Sequence, residues 1–317
     1  LTDSLQRILI TGGAGFIGSN LAASLAATPG CEVVVADNFD SGDWHNLIHV
    51  DCELRAVQSN DPALLTEIAA GGFSAILHQA AITDTTVMNQ RHMLEVNTNA
   101  FGDILAASAD SSTRIIYASS AGVYGNAPAP NRIGQGEVPE NIYGFSKYAM
   151  DRLARRWYDR HTAPIIGLRY FNVYGPGEAH KGKVASMVLQ LHRQIKAGNR
   201  PRIFKRGEQR RDFIYIRDIV AANLAALKAQ QSGVCNIGSG ASRSFNDIID
   251  ILGQNLGQKL DVDYIDNPYT FFQNHTEADL RETRSLLNWK AAWTLEQGME
   301  EYISFLESGH TGPVLEP

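Results

Sequence analysis

Cysteine is scarce in this 317-residue chain: Cys31, Cys52 and Cys235 are far apart and match neither a paired nor a zinc-ligand spacing. They are expected to be reduced core thiols, and no metal is expected. Long apolar runs are missing as well. No stretch approaches the roughly 18 residues that a spanning helix needs, and the polar segment Leu1 to Arg7 leads into no apolar signal region. Neither export nor membrane insertion is expected, and a cytoplasmic location is. An excess of positive charge is absent too. The formal charge is -6, without long like-charge blocks, so nothing in the sequence suggests a nucleic-acid partner. No repeat or low-complexity segment occurs, and the ends, including His310 to Pro317 with its Gly and Pro, are expected to be trimmed or disordered and to carry no function.

What is present is ordinary globular material, 44% apolar and 20% charged, long enough for one core and a second lobe. Short apolar runs at Arg7–Ile10, Glu32–Ala36, Ala75–His78 and Arg114–Ala118 read as strands, with helical patterns over about 17–27 and 97–109 among them. That alternation predicts a mostly parallel sheet covered by helices. A helix over about 146–159 then leads to a strand at Pro164–Leu168. After Pro176 the texture changes: a loop at 177–182, a helix at 184–197 and a short strand at 202–204 point to a second lobe woven into the first. Further on, Phe213–Ile216 is an apolar run, Asp218 is placed to cap the helix that follows, and Ser244 with Asp247 has the spacing of a capped helix start.

Gly12-Gly-Ala-Gly15-Phe16-Ile17-Gly18 lies between the first strand and the first helix. Glycine at 12 permits the tight turn, at 15 it lets backbone approach a pyrophosphate, and at 18 it lets the helix lie close to the sheet. The N–H groups of the helix start point at the phosphates. Asp37 closes the next strand 19 positions after Gly18, where a carboxylate accepts hydrogen bonds from ribose hydroxyls. The segment 38–47 contains no Lys or Arg to balance a 2'-phosphate, so NAD is predicted over NADP. Phe16, Ile17, Asn38 and Ala80 are further candidate cofactor contacts.

Ser119-Ser120 ends a strand, and Tyr143 follows Ser120 by 23 residues with Lys147 four further on. Tyr143 and Lys147 therefore share one helix face. An ordinary phenol, with a pKa near 10, is too weak a base at neutral pH, and a neighbouring ammonium is expected to favour its phenolate. Tyr143 could then take a hydroxyl proton while hydride leaves the same carbon. Lys147 would also bind the nicotinamide ribose, and Ser120 would hydrogen-bond the reacting oxygen.

The glycine turn, the strand-end Ser, Tyr143-Gly-Phe-Ser-Lys147 and Arg169-Tyr-Phe-Asn-Val-Tyr-Gly-Pro176, in this order, resemble the extended short-chain dehydrogenase/reductase family of nucleotide-sugar enzymes across about Arg7 to Leu306. The resemblance implies an α/β fold: a Rossmann-type doubly wound parallel sheet with a smaller α/β substrate-binding domain. It divides the chain into 1–172 with 211–240 for the cofactor and 173–210 with 241–310 for the substrate. Ala121-Gly-Val-Tyr124 stands where dehydratases of the family carry an Asp-Glu pair, which disfavours water elimination. Glu178-Ala-His180-Lys181-Gly182, Arg211-Asp-Phe-Ile-Tyr215 and Thr276-Glu-Ala-Asp-Leu280 are most similar to the branch that inverts C6 of an ADP-linked heptose.

That branch implies a redox-neutral epimerase with tightly bound NAD(P), an ADP-heptose substrate, a homo-oligomer and a role in lipopolysaccharide precursor or secondary metabolism. It also implies Lys181 as a second base, because inversion requires proton transfer on both faces of a carbon that becomes planar. Thr83, Asp84 and Thr85 are candidate substrate-loop residues, and Ser119, Asn172, His180, Arg211 and His275 candidate substrate contacts. Asp212 could instead neutralise Arg211, and Arg210 could be a solvated neighbour. Trp44 stands near a position where the branch places a lysine, and Phe272 where it places a substrate-domain tyrosine. The alternatives are a UDP-hexose 4-epimerase or related decarboxylase, which needs no Lys181, and a non-catalytic nucleotide-binding scaffold.

Overall fold

The computed structural model describes residues 6–266, 273–310 and 312–313. Its strands are β1 Gln6–Thr11, β2 Cys31–Ala36, β3 Glu53–Arg55, β4 Ala75–His78, β5 Arg114–Ser120, β6 Ile165–Tyr170, β7 Asn172–Tyr174, β8 Arg202–Phe204, β9 Arg210–Tyr215, β10 Gly233–Ile237, β11 Ser242–Ser244 and β12 Asp263–Ile265. Its α-helices are α1 Phe16–Ala26, α2 Pro62–Ala69, α3 Gln90–Leu94, α4 Ala100–Ala107, α5 Ile142–Trp157, α6 Met187–Lys196, α7 Ile216–Ala226, α8 Phe245–Asn255, α9 Arg281–Leu287 and α10 Leu295–Glu307.

The near-continuous apolar strands form one seven-stranded sheet in the order β10-β6-β5-β4-β1-β2-β3, every neighbouring pair parallel. In β1, Ile8 and Ile10 face one core, shared with α1 and α7, while Leu9 faces another, shared with α2, α4 and α5. The strand order reverses between β1 and β4, opening a crevice at their carboxyl ends, where ligands bind in such folds. This is the doubly wound sheet expected from the sequence. A smaller α/β lobe adds a three-stranded sheet, β11-β9-β7, and the parallel pair β12-β8.

Several local expectations change. β9 pairs with β7 and β11, so residues 210–215 join the smaller sheet rather than the large one. Asp218 lies inside the first turn of α7 and does not cap it; its carboxylate accepts from the backbone N–H of Ala292 (2.8 Å) and Trp293 (3.1 Å), tying α7 to the segment before α10. The loop expected at 177–182 overlaps a 3-10 turn, Ala179–Val184, in which Gly182 takes φ +54°. The helix expected over 97–109 is α4, Ala100–Ala107, and residues 97–99 belong instead to a π-helical turn, Glu95–Asn99. The Ser244–Asp247 capping box is present as read. No helix among the described residues is long and apolar enough to cross a membrane.

Candidate active site

A cavity of about 580 Å³ opens at the carboxyl ends of the central strands, within the range of small-molecule sites. At its floor Gly12 takes φ +69°, and a Cβ there would lie 2.6 Å from the Ala80 nitrogen. A Cβ on Gly18 would lie 2.2 Å from the Gly12 carbonyl oxygen, so only glycine lets α1 press onto the turn. Gly15 is the N-cap of α1 and no side chain caps that helix, leaving its first N–H groups available to a ligand oxygen. Phe16, Ile17, Asn38 and Ala80 line the same cavity.

Asp37 is buried at its adenosine-side candidate position. One carboxylate oxygen accepts from Ala14 N–H (2.9 Å) and the other from Phe39 N–H (2.8 Å), so the group that faces the cavity also braces the glycine turn. Around it lie Asn38, Asp40, Ser41, Gly42, Gln58 and Ser59, and the cavity's lysines, Lys147 and Lys181, belong to other segments. A bare glycine cradle, an uncapped helix start and a carboxylate without a nearby lining cation fit a dinucleotide without a 2'-phosphate.

Ser120 ends β5 and caps the short turn Ala121–Tyr124, its Oγ accepting from Gly122 N–H at 3.0 Å. Asn141 caps α5 through Gly144 N–H (2.7 Å) and starts the helix at Ile142, which puts Tyr143 in its first turn, on the cavity with Ser120. Lys147, one turn on, is buried and donates from Nζ to the Ala118 carbonyl at 2.8 Å. Burial pushes this ammonium down to about 8, with Asp151 acting in the opposite direction. The phenol departs from expectation: burial raises Tyr143, with Ser120 acting in the opposite direction, while the Lys147 ammonium is directed at a carbonyl.

Lys181 reaches the cavity from the Ala179–Val184 turn, its ammonium 5.5 Å from the Phe16 ring centroid and lowered by burial. His180 lines the cavity beside it and shares a 3.2 Å hydrogen bond with Asn46. Thr83, Ser119 and Asn172 also line it. Other candidates are not brought there. Asp84 is taken up by its own turn, accepting from the N–H (2.8 Å) and hydroxyl (2.6 Å) of Thr86. Arg211 is buried in β9 with its guanidinium over Phe245, and His275 bonds Ser242 at 2.8 Å. Asp212 does not neutralise Arg211; it accepts from Ser239, Gly240 and Ala278. Arg210 is held by Ser242. Phe272 lies outside the described residues.

The sequence reading missed two contributors. Gln79 lines the cavity and takes a 3.3 Å bond from the Tyr170 hydroxyl. Asn97, in the π-helical turn, holds the N–H (2.8 Å) and C=O (3.1 Å) of Ile82 and reaches Ser146 of α5 (3.0 Å), clamping the segment before Thr83 to the helix that carries Tyr143. Such a turn often marks a functional site.

The profile of the NAD dependent epimerase/dehydratase family matches residues 8–238. The chain belongs to that family. Among NAD dependent epimerase/dehydratase proteins it is 34% identical to an ADP-L-glycero-D-manno-heptose-6-epimerase from Cupriavidus pinatubonensis, covering 95% of this chain and 98% of the relative. The crystal structure of the ADP-L-glycero-D-manno-heptose-6-epimerase of Helicobacter pylori superposes with a TM-score of 0.90 at 44% identity, covering 97% of this chain and 99% of that one. A UDP-glucuronic acid 4-epimerase from Bacillus cereus, in complex with UDP-glucuronic acid and NAD, matches with a TM-score of 0.84 at 25% identity, over 96% of this chain and all of the other.

Proposed function

We propose that this chain is an NAD-dependent ADP-glycero-manno-heptose 6-epimerase that inverts C6 through a 6-keto sugar. The observation that carries the reading is the shared cavity: Tyr143 with Ser120 from one side and Lys181 from a separate turn provide two proton-transferring groups for one substrate. The strong likeness to the Helicobacter pylori enzyme supports the choice of sugar.

When bound, NAD would supply a reversible hydride acceptor, so that no external oxidant would be needed. Gly12, Gly15, Gly18 and Asp37 would hold the dinucleotide, and Lys147, fixed by Ala118, would bind its nicotinamide ribose. In one pose Tyr143 exchanges the proton of the C6 hydroxyl while Ser120 bonds the same oxygen. After the sugar turns over, the oxygen faces Lys181, whose burial lowers its proton affinity toward the range needed for exchange near neutrality. Ser119, Thr83, Asn172 and His180 line the space in which the sugar turns.

Lys181→Met and Tyr143→Phe, each purified with its cofactor, test this. Both variants are expected to lose C6 inversion by roughly a hundredfold or more with unchanged NAD content. Full activity in Lys181→Met would refute the two-base mechanism.

A further inference from the structure

Lys181 sits on a turn that has no strand or long helix to fix it, so something else must set its position. The backbone from Gly175 to Ser186 leaves β7 of the smaller sheet, carries His180 and Lys181 and ends at the start of α6. Both ends of this excursion bond one side chain. Glu178 is fully buried, and its carboxylate accepts from Gly175 N–H at 3.3 Å, Ser186 N–H at 2.6 Å and Ser186 Oγ–H at 2.6 Å. Its backbone carbonyl accepts from Lys181 N–H at 3.0 Å. Arg193 of α6 also donates to the neighbouring Ala179 carbonyl at 2.7 Å.

We infer that Glu178 is the positioning residue of the second base: its carboxylate closes the 175–186 excursion and aims Lys181 at one of the two substrate poses. The inference rests on the two-base reading above. A buried carboxylate is a costly way to fix a loop unless donors surround it, and here they do. It is also the charge that favours the ammonium form of Lys181, opposing burial. Nothing comparable joins Glu178 to Tyr143, which is held by the cap of α5. The defect produced by loosening Glu178 should therefore fall on one substrate epimer and spare the other.

The test mixes each of the two C6 epimers of ADP-glycero-manno-heptose separately with NAD-loaded wild type, Lys181→Met and Glu178→Gln, and follows the absorbance of reduced nicotinamide. Lys181→Met should lose the signal with one epimer only. Glu178→Gln should slow the signal with that same epimer by roughly a hundredfold, as expected for a misplaced group, and leave the other within about twofold of wild type. If Glu178→Gln does not fold, Ser186→Ala removes one of the three donors and should show the same one-sided slowing in milder form. An equal loss with both epimers, or none, in the Glu178 and Ser186 variants overturns the positioning role while the two-base reading stands. A symmetric result in Lys181→Met overturns both.

Discussion

At the scale of single residues, burial decides more than sequence neighbours do. Tyr143 and Lys147 share a helix face, yet the ammonium bonds Ala118 and the phenol is governed by its burial and by Ser120. His78 is the sharper case. It is fully buried at the end of β4, shares a 2.7 Å hydrogen bond with Thr11, and burial pushes it down to about 3 from an ordinary value of 6.5. Below pH 6.5 the unfolded chain takes up a proton that the folded protein refuses, so this contribution is fully present above 6.5 and is lost as pH falls toward 3. Between pH 6.5 and 5 the loss is about 2 kcal/mol. Urea titrations at the two pH values should show it in the wild type and not in His78→Gln; an identical pH dependence in both would contradict the assignment.

Asp37 carries the second prediction at this scale. A 2'-phosphate would meet its carboxylate with no lining lysine nearby, so calorimetry on cofactor-stripped protein should find NAD binding more tightly than NADP, by roughly tenfold or more. Tighter NADP binding would overturn the charge argument. The glycine turn, Asp37, Ser120, Tyr143 and Lys147 were legible because their spacing is local and each sits where a strand meets a helix. The surroundings of Arg211, Asp212 and His275 were not legible, because Phe245, Ser239 and Ser242 lie dozens of residues away and on elements whose pairing no local pattern encodes.

At the scale of elements, close approach and end chemistry set the geometry. Asn141, Ser244 and Thr294 cap α5, α8 and α10, and the last two form full capping boxes; of these only the Ser244 start was read from sequence, and α5 begins at Ile142 rather than near 146. Asp218 has the same appearance and a different use, since its acceptors' work lies with Ala292 and Trp293. Asn97 gave no signal, because its clamp joins residues 82 and 146 across a turn that interrupts helical periodicity. Gly18 offers the cleanest test of element packing. Gly18→Ala must push α1 off the turn, costing about 1 to 3 kcal/mol and releasing the cofactor. Purification of the variant with a full complement of NAD and an unshifted urea midpoint would show that the contact yields without consequence.

At the scale of the whole molecule, the doubly wound sheet supplies the crevice and the segment after β7 supplies Lys181. The fold class was legible because alternating strands and helices leave few arrangements. The extent of the second lobe was not, since β9 ends in a short apolar run, Phe213–Tyr215, that either sheet could have taken, and only pairing with β7 and β11 assigns it. The proposed chemistry depends on that assembly: one lobe brings the glycine turn and Tyr143, and the later segment brings Lys181, the proposed second base, to the same cavity.

The most direct measurement is NMR of the purified protein with ADP-D-glycero-D-manno-heptose and, separately, UDP-glucose, with no cofactor added. Inversion at C6 of the heptose and no change in the hexose is the predicted result. Inversion at C4 of UDP-glucose with the heptose untouched would contradict it.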